Sequence, residues 1–349
     1  MARIGINPAR GKSSTYRPAR VTLGVLTYIP DLSGYFAERL QILKLVLASL
    51  RAHTTLPYDL VIFDNNSCPQ VVEYLSQQQR AGNIDYLIRS RENIGKIGAL
   101  RILFEAAPGE IIAYNDDDIL FYPGWLEAHL EILSRFPRVG MVSGVPVRNA
   151  ARHARRSLEA LIDQGAPGLT SAWERRIPAE WEIDWALSTG RDPGQHLAET
   201  SEQMDLVLRS QATGGDQADV HSACEAIGSA NHFQFVAPKH VITQALPEAW
   251  SGKLMGHMIE LDEAVDELGY LRLSTTERYT RHLGNRLSPE ILAEAVSMGL
   301  MKDASGELIP GHPAGQGHQP RMRHWSLRIP GMRRLYLAIY RRLFDLLYR

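Results

Sequence analysis

Between residues 21 and 147, short β-branched runs alternate with segments whose apolar residues recur at helical spacing. No other feature restricts the fold as strongly. VTLGVLTY (21–28), YDLVIFD (58–64), IDYLIR (84–89), EIIAYN (110–115) and VGMVSGVPV (139–147) read as strands, the most apolar of them buried on both faces. Between them, Phe36 to Leu50 carries Leu40, Leu43, Leu47 and Leu50 on one helical face, and Val71 to Arg80, Asn93 to Ala107 and Tyr122 to Phe136 complete the set of helices. Strands joined through helices form βαβ units, so an α/β fold with a mostly parallel central sheet flanked by helices is expected. Ligands of such sheets bind beyond the carboxyl ends of the strands. That rule puts Thr27, Tyr28, Asp64, Asn65, Asn66 and Asp116 to Asp118 on one rim, although no two of their segments are adjacent in the chain.

The alternation stops after residue 147. Residues 148–225 read as an irregular insertion with short helices, in which Trp173, Trp181 and Trp185 are interspersed. Order resumes with a strand in ANHFQFVAP (230–238), a helix over 257–268 and a strand in YLRLST (270–275). A Gly/Pro/His-rich link (304–320) leads to a basic helix over 331–348. The expected organisation is a flexible basic tail (1–20), a ligand-binding half (21–147), a second half with the insertion (148–290) and a C-terminal helical extension (291–349).

Composition narrows the class of partner. A net charge of −1 on 349 residues carries no field for nucleic acid. The two cysteines, Cys68 and Cys224, form no framework, which suits a reducing compartment. The N-terminus is basic without the apolar core of a secretory signal, and no apolar run is long enough to span a bilayer. A cytoplasmic location is expected. In the last helix, Leu335, Ile339, Leu343, Leu346 and Leu347 share a face beside arginines. Such a helix suits the inner face of an anionic membrane, the protein body or a second subunit, and these readings stay open.

Asp116, Asp117 and Asp118 end the fourth strand. Three adjacent carboxylates at the end of a buried strand repel one another unless a cation joins them. A hard divalent ion, Mn2+ or Mg2+, shared with the phosphates of a nucleotide meets that need. The competing reading is a solvated acidic turn capping the next helix. In NIGKIGALR, Gly95 and Gly98 let a ligand approach a helix start, and Lys96 or Arg101 can neutralise a diphosphate; the alternative is a plain turn and a solvated helical face. His282, in ERYTRHLGN, is either a metal or diphosphate ligand or a hydrogen-bonded structural histidine. His221 and Cys224 lack a second pair to make a zinc site. No GxxxxGK[ST] or GxGxxG occurs, which excludes a P-loop and leaves a dinucleotide cofactor unsupported.

YNDDDILFYPGWL resembles the Asp-rich segment of family 2 glycosyltransferases of the GT-A fold. VTLGVLTY, LVIFDNNSC and RENIGKIGALRILFEAA resemble the preceding segments of that family in the same order. The resemblance covers roughly residues 20–147 well and 226–285 more loosely. It implies transfer of a sugar from a nucleotide-diphosphate sugar to a hydroxyl acceptor, a glycan or lipid-linked glycan, with inversion at the anomeric carbon. It implies that Thr27, Tyr28, Asp64 and Asn66 hold the nucleoside, that Lys96 serves the diphosphate, that Asp116 orients the ribose and Asp117 supports it, and that Asp118, with Asp116 and His282, binds the metal. The family's catalytic base lies in an acidic pair before a helix ending in Gly-Tyr. Gly269 and Tyr270 match that ending, the Glu-Asp dipeptide is absent, and Asp262 is the favoured base. The acids of 257–270 read equally as the outer face of an amphipathic helix. Rival readings are a non-catalytic glycan-binding or scaffold protein on the same fold and, less favoured, a nucleotidyltransferase, whose glycine-rich basic loop is missing after the first strand.

Overall fold

The computed structural model describes residues 16–210, 224–248 and 256–301. The expectations for the first fifteen residues, for His221 and for the helix over 331–348 lie outside these. In chain order the elements are β1 (Val21–Thr27), α1 (Arg39–Ala52), β2 (Tyr58–Asp64), α2 (Pro69–Arg80), β3 (Tyr86–Arg89), α3 (Gly95–Ala106), β4 (Ile111–Asp116), β5 (Ile119–Phe121), α4 (Trp125–Arg135) and β6 (Val139–Ser143). There follow α5 (Arg156–Asp163), β7 (Leu169–Glu174), α6 (Ala179–Ser188), α7 (Pro193–Thr200), β8 (Asp205–Ser210), β9 (Cys224–Ile227), β10 (Gln234–Pro238), α8 (Lys239–Ala245), α9 (Gly256–Glu267), β11 (Leu271–Ser274), β12 (Thr280–His282) and α10 (Pro289–Ser297).

Among the described residues, ten strands form one sheet in the order β3-β2-β1-β4-β10-β6-β11-β9-β8-β7. The fold is α/β, and the sheet is mixed. Strands β3, β2, β1 and β4 run parallel, as the βαβ reading requires. From β10 onward most pairs are antiparallel, with β6 and β11 a parallel pair among them. Pairing of β10 with β4 joins the two expected halves in one sheet.

Period two divides the parallel strands between two cores. Val21, Leu23 and Val25 of β1, with Ile111 and Ala113 of β4, face the core that α1 and α2 close. Leu26 of β1, with Ile112 and Tyr114 of β4, faces the core that α3, α8 and α9 close. A sheet covered on both faces buries every residue of β1, which is why its sequence is a continuous apolar run. Gly95 starts α3 at φ +73, a left-handed conformation that costs glycine nothing.

The insertion differs from the irregular segment expected. Alongside short helices it contains β7 and β8, an antiparallel pair that extends the sheet to its end. β7 is a polar edge strand, LTSAWE, with no buried residue, so it lacks the apolar alternation that marks a strand in sequence. The boundary expected at 290 falls inside α10, which packs onto the body through Ile291 and Ala295. Among the described residues, no helix is long and apolar enough to cross a membrane.

Candidate active site

Strand register assembles the rim. Thr27 lies beside Asp64, and Leu26 beside Asp116, across parallel pairs. The acidic triplet therefore stands at the carboxyl ends of β1, β2 and β4, where the alternation places it.

The three aspartates divide the work. Asp116 remains partly open; Lys96 Nζ donates to both its oxygens at 2.8 and 2.9 Å, and the Tyr114 hydroxyl donates to one of them. Asp117 and Asp118 are only 5% and 8% exposed. Asp117 accepts from Thr27 Oγ1 at 2.5 Å and from Arg39 Nη2. Asp118 accepts from Arg39 Nη1 at 2.7 Å and lies 3.5 Å from His282 Nε2. Burial pushes the Asp117 carboxyl above its ordinary range; Arg39 pulls the other way, and the neighbouring aspartates add repulsion. Burial also opposes ionisation of Asp118, but His282, Arg39 and Lys96 outweigh it and hold that carboxyl below its ordinary value.

Arg39 is a site residue that the sequence reading missed. It is the first residue of α1, buried, and its Nη1 also reaches the Gly284 carbonyl at 3.0 Å and Asn285 Oδ1 at 3.2 Å. A buried guanidinium needs acceptors on several sides, and these two carboxylates with the 284–285 backbone and amide supply them. The available signal was an arginine at a helix start in a segment otherwise apolar on its inner face. The HLGN segment reaches the triplet because β12 pairs with β5, setting His282 opposite Ile119. Its Nδ1 pairs with Ser188 Oγ at 2.8 Å, and its ring packs on Phe233 with centroids 4.9 Å apart.

The other predicted residues fall as follows. Thr27 is fully buried, and its hydroxyl donates to Asp117. Tyr28 is half-buried just past β1. Asp64 is buried, accepts from the Ser67 amide at 2.9 Å and lies 3.5 Å from Arg89 Nε. Asn66 is exposed at φ 72, a left-handed turn position that asparagine tolerates. Asn65 takes the inward place, bonding Asn93 Oδ1 at 2.9 Å and the Ile94 amide at 3.0 Å, and so fixes the start of α3 where Lys96 sits. Arg101 points elsewhere, donating to the carbonyls of Pro247 and Glu248.

Asp262 is not placed as a base facing a donor. It is 0% exposed on α9, and its Oδ2 takes His153 Nε2 and His232 Nδ1, each at 2.8 Å, and Arg272 Nη2 at 3.0 Å. Burial opposes its charge, but Arg272 and the histidines hold the carboxyl well below its ordinary value. A carboxylate so tied is a poor proton acceptor and touches no open space. Sequence spacing cannot report this, because it does not say which face of α9 the core takes.

A divalent cation is tested by the donors present. Among the described residues, no three His, Cys, Asp or Glu side chains are arranged to hold one alone. A nucleotide site asks for less, since one or two carboxylates plus substrate phosphates satisfy such an ion. Asp118 Oδ1 is buried without a hydrogen-bond partner, an orphaned acceptor that a cation would satisfy. Asp118 and the partly open Asp116 therefore fit an ion shared with a diphosphate.

Residues 35–183 match the family described as glycosyl transferase family 2. This segment is a family 2 glycosyltransferase domain. The α/β fold, with a mixed and partly parallel sheet flanked by helices, agrees with the α/β class expected. The match includes Arg39 and the triplet and ends before His232, Asp262 and His282. Similar solved structures include a mannosyltransferase, PcManGT from Pyrobaculum calidifontis, in complex with GDP-Man and Mn2+, at 27% identity over 37% of this chain and 36% of that one, with a TM-score of 0.28. Residues 1–349 of S. aureus TarS are 17% identical over 36% of this chain and 35% of that one, TM-score 0.29. Their complex with UDP-GlcNAc is 17% identical over 36% and 34%, TM-score 0.29. The matched part thus spans about a third of these relatives' length. No curated protein matches the chain.

Proposed function

We propose that this glycosyltransferase domain moves a sugar from a nucleotide-diphosphate sugar to a hydroxyl acceptor, with inversion, in the presence of Mn2+ or Mg2+. The observation that carries this reading is the rim itself. A lysine, two buried aspartates on an arginine and a third, partly open aspartate meet where parallel strands end, the place where α/β sheets bind ligands. Lys96 and Asp116 meet the diphosphate and ribose, and Asp64 and Tyr28 flank the nucleoside. Bound there, the cation neutralises charge that grows on the departing diphosphate. Arg39 and Thr27 hold Asp117 and Asp118 in place, so little reorganisation accompanies binding.

The acceptor belongs to the 148–290 half. A cavity of about 420 Å³ lies there, walled by Arg152, Arg155, Trp173, Met204 and Ser229, with the Arg155 guanidinium 5.6 Å over the Trp173 ring. An aromatic face with arginines suits a glycan, free or lipid-linked. The non-catalytic glycan-binding reading draws on one observation, that Arg39 is already paired with both Asp117 and Asp118.

Two measurements decide. UDP, GDP, CDP and dTDP, with and without Mn2+, are screened by thermal shift; the right one raises apparent stability by mass action. The corresponding nucleotide sugars are then assayed for release of nucleoside diphosphate. An enzyme releases it with Mn2+, and Asp118→Ala abolishes release. Equal inertness of wild type and variant across the donors supports the glycan-binding reading.

A further inference from the structure

We infer that His232 is the general base that deprotonates the acceptor, with Asp262 as its positioning residue. The inference rests on the sugar-transfer reading above and supplies what the missing Glu-Asp dipeptide leaves open.

The geometry begins with the Asp262 carboxylate. His232 presents Nδ1 to Oδ2 at 2.8 Å. An ionised carboxylate accepts only, so Nδ1 carries the hydrogen and, in the neutral ring, Nε2 keeps its lone pair. That tautomer is the base form of imidazole, fixed here by a buried partner. The His232 side chain stays 13% exposed while Asp262 is sealed, so the histidine is the member of the pair that a substrate can touch.

Its position is equally specific. The next residue, Phe233, accepts the Asp116 amide at 2.9 Å on its carbonyl and packs its ring on His282. His232 therefore stands one residue from the metal-and-ribose rim. Three residues before it, Ser229 lines the acceptor cavity. His232 occupies the seam between donor and acceptor, where the attacking hydroxyl must lie. The groups facing the pair are His153 Nε2, on the same Asp262 oxygen, and Arg272, whose Nη1 also donates to the His153 carbonyl at 3.2 Å. His153, its side chain 20% exposed, bonds the same oxygen through Nε2, follows the short helical turn of residues 148–152, and has its carbonyl held by Arg272 Nη1. It is assigned to positioning.

The step balances. The acceptor O–H proton passes to His232 Nε2. The oxygen pair forms the bond to the anomeric carbon, and the bond from that carbon to the diphosphate oxygen breaks. Its pair leaves with the nucleoside diphosphate. The imidazolium is stabilised by Asp262.

The test uses the full chain with the donor that the screen selects, Mn2+, and water as the acceptor. His232→Gln is expected to lose roughly 10²- to 10⁴-fold in nucleoside diphosphate release while nucleotide-induced thermal shift stays at the wild-type value. Imidazole should restore part of the rate of His232→Ala. Asp262→Asn should lower release without altering nucleotide binding, and Asp262→Glu should recover part of it. Release by His232→Gln close to wild type overturns the assignment, as does a full loss in His153→Gln alone. Absence of release by the wild type, with or without nucleotide binding, fells the sugar-transfer reading itself.

Discussion

Arg39 donates to Asp118 Oδ2 at 2.7 Å from a position 79 residues earlier in the chain, and the same guanidinium holds Asp117. One buried cation thus pairs with two adjacent carboxylates inside the protein. Removing one partner of a buried ionic group costs about 3–5 kcal/mol, because the other charge stays buried and unpaired. Arg39→Met should lower unfolding free energy by about that amount in urea denaturation, and Arg39→Lys by less, since lysine keeps the charge without the fork. Added Mn2+ should restore part of the loss, because a divalent ion can take over the two carboxylates. Unchanged stability in Arg39→Met would show that the pair is not structural.

Gly284 carries the carbonyl that anchors Arg39, at φ +71, and a Cβ there would lie 2.4 Å from the Ser188 carbonyl oxygen. Gly284→Ala meets both backbone strain and a collision with main chain, at about 1–3 kcal/mol each. Gly34 has φ +49 and faces open space, so Gly34→Ala pays only for conformation. Thermal denaturation should rank Gly284→Ala well below Gly34→Ala, and nucleotide affinity should fall in the first alone.

His129 is fully buried, and burial lowers its pKa from 6.5 to about 4. The unfolded chain therefore binds a proton that the folded chain refuses between those values. The contribution is complete above pH 6.5 and is lost as pH falls towards 4. It amounts to about 3 kcal/mol across that window. His129→Gln should lack this acid limb, so the stability difference between wild type and variant should shift in the variant's favour from pH 7 to pH 4.5. A pH-independent difference would mean that the ring titrates alike in both states.

Lys96 is bound to Asp116, and its side chain is 36% exposed. Lys96→Gln should weaken nucleoside diphosphate binding by roughly tenfold, the loss of one charge-assisted hydrogen bond partly screened by solvent. Binding of the parent nucleoside should be unaffected. Isothermal titration of both ligands separates this from a general loss of the pocket.

Much of the rim was legible because it depends on local pattern. The runs ending at Thr27, Asp64 and Asp116 are strands that end where their polarity changes, and the parallel rule then aligns them. Lys96 was legible as a cation at a helix start, whereas its contact with Asp116 came from the fold. Asp262 was legible as a candidate and illegible in its surroundings: the same helical pattern allows its acids to face out, and only packing shows it turned inward onto Arg272. The edge strand β7 escaped because strands without a buried face have no apolar alternation.

By itself, the sequence determined the α/β alternation, the parallel strands β1 to β4 and the acidic end of the fourth, since periods of 2 and 3.6 residues are written into neighbouring side chains. Tertiary structure decided which charges meet. Arg39 with Asp117, separated by 78 residues, and His153 with Asp262, separated by 109, are joined by chain crossings that no local periodicity encodes. The physical reason is burial: once the core closes, each ionised group must find a partner inside it, and the packed topology supplies the choice.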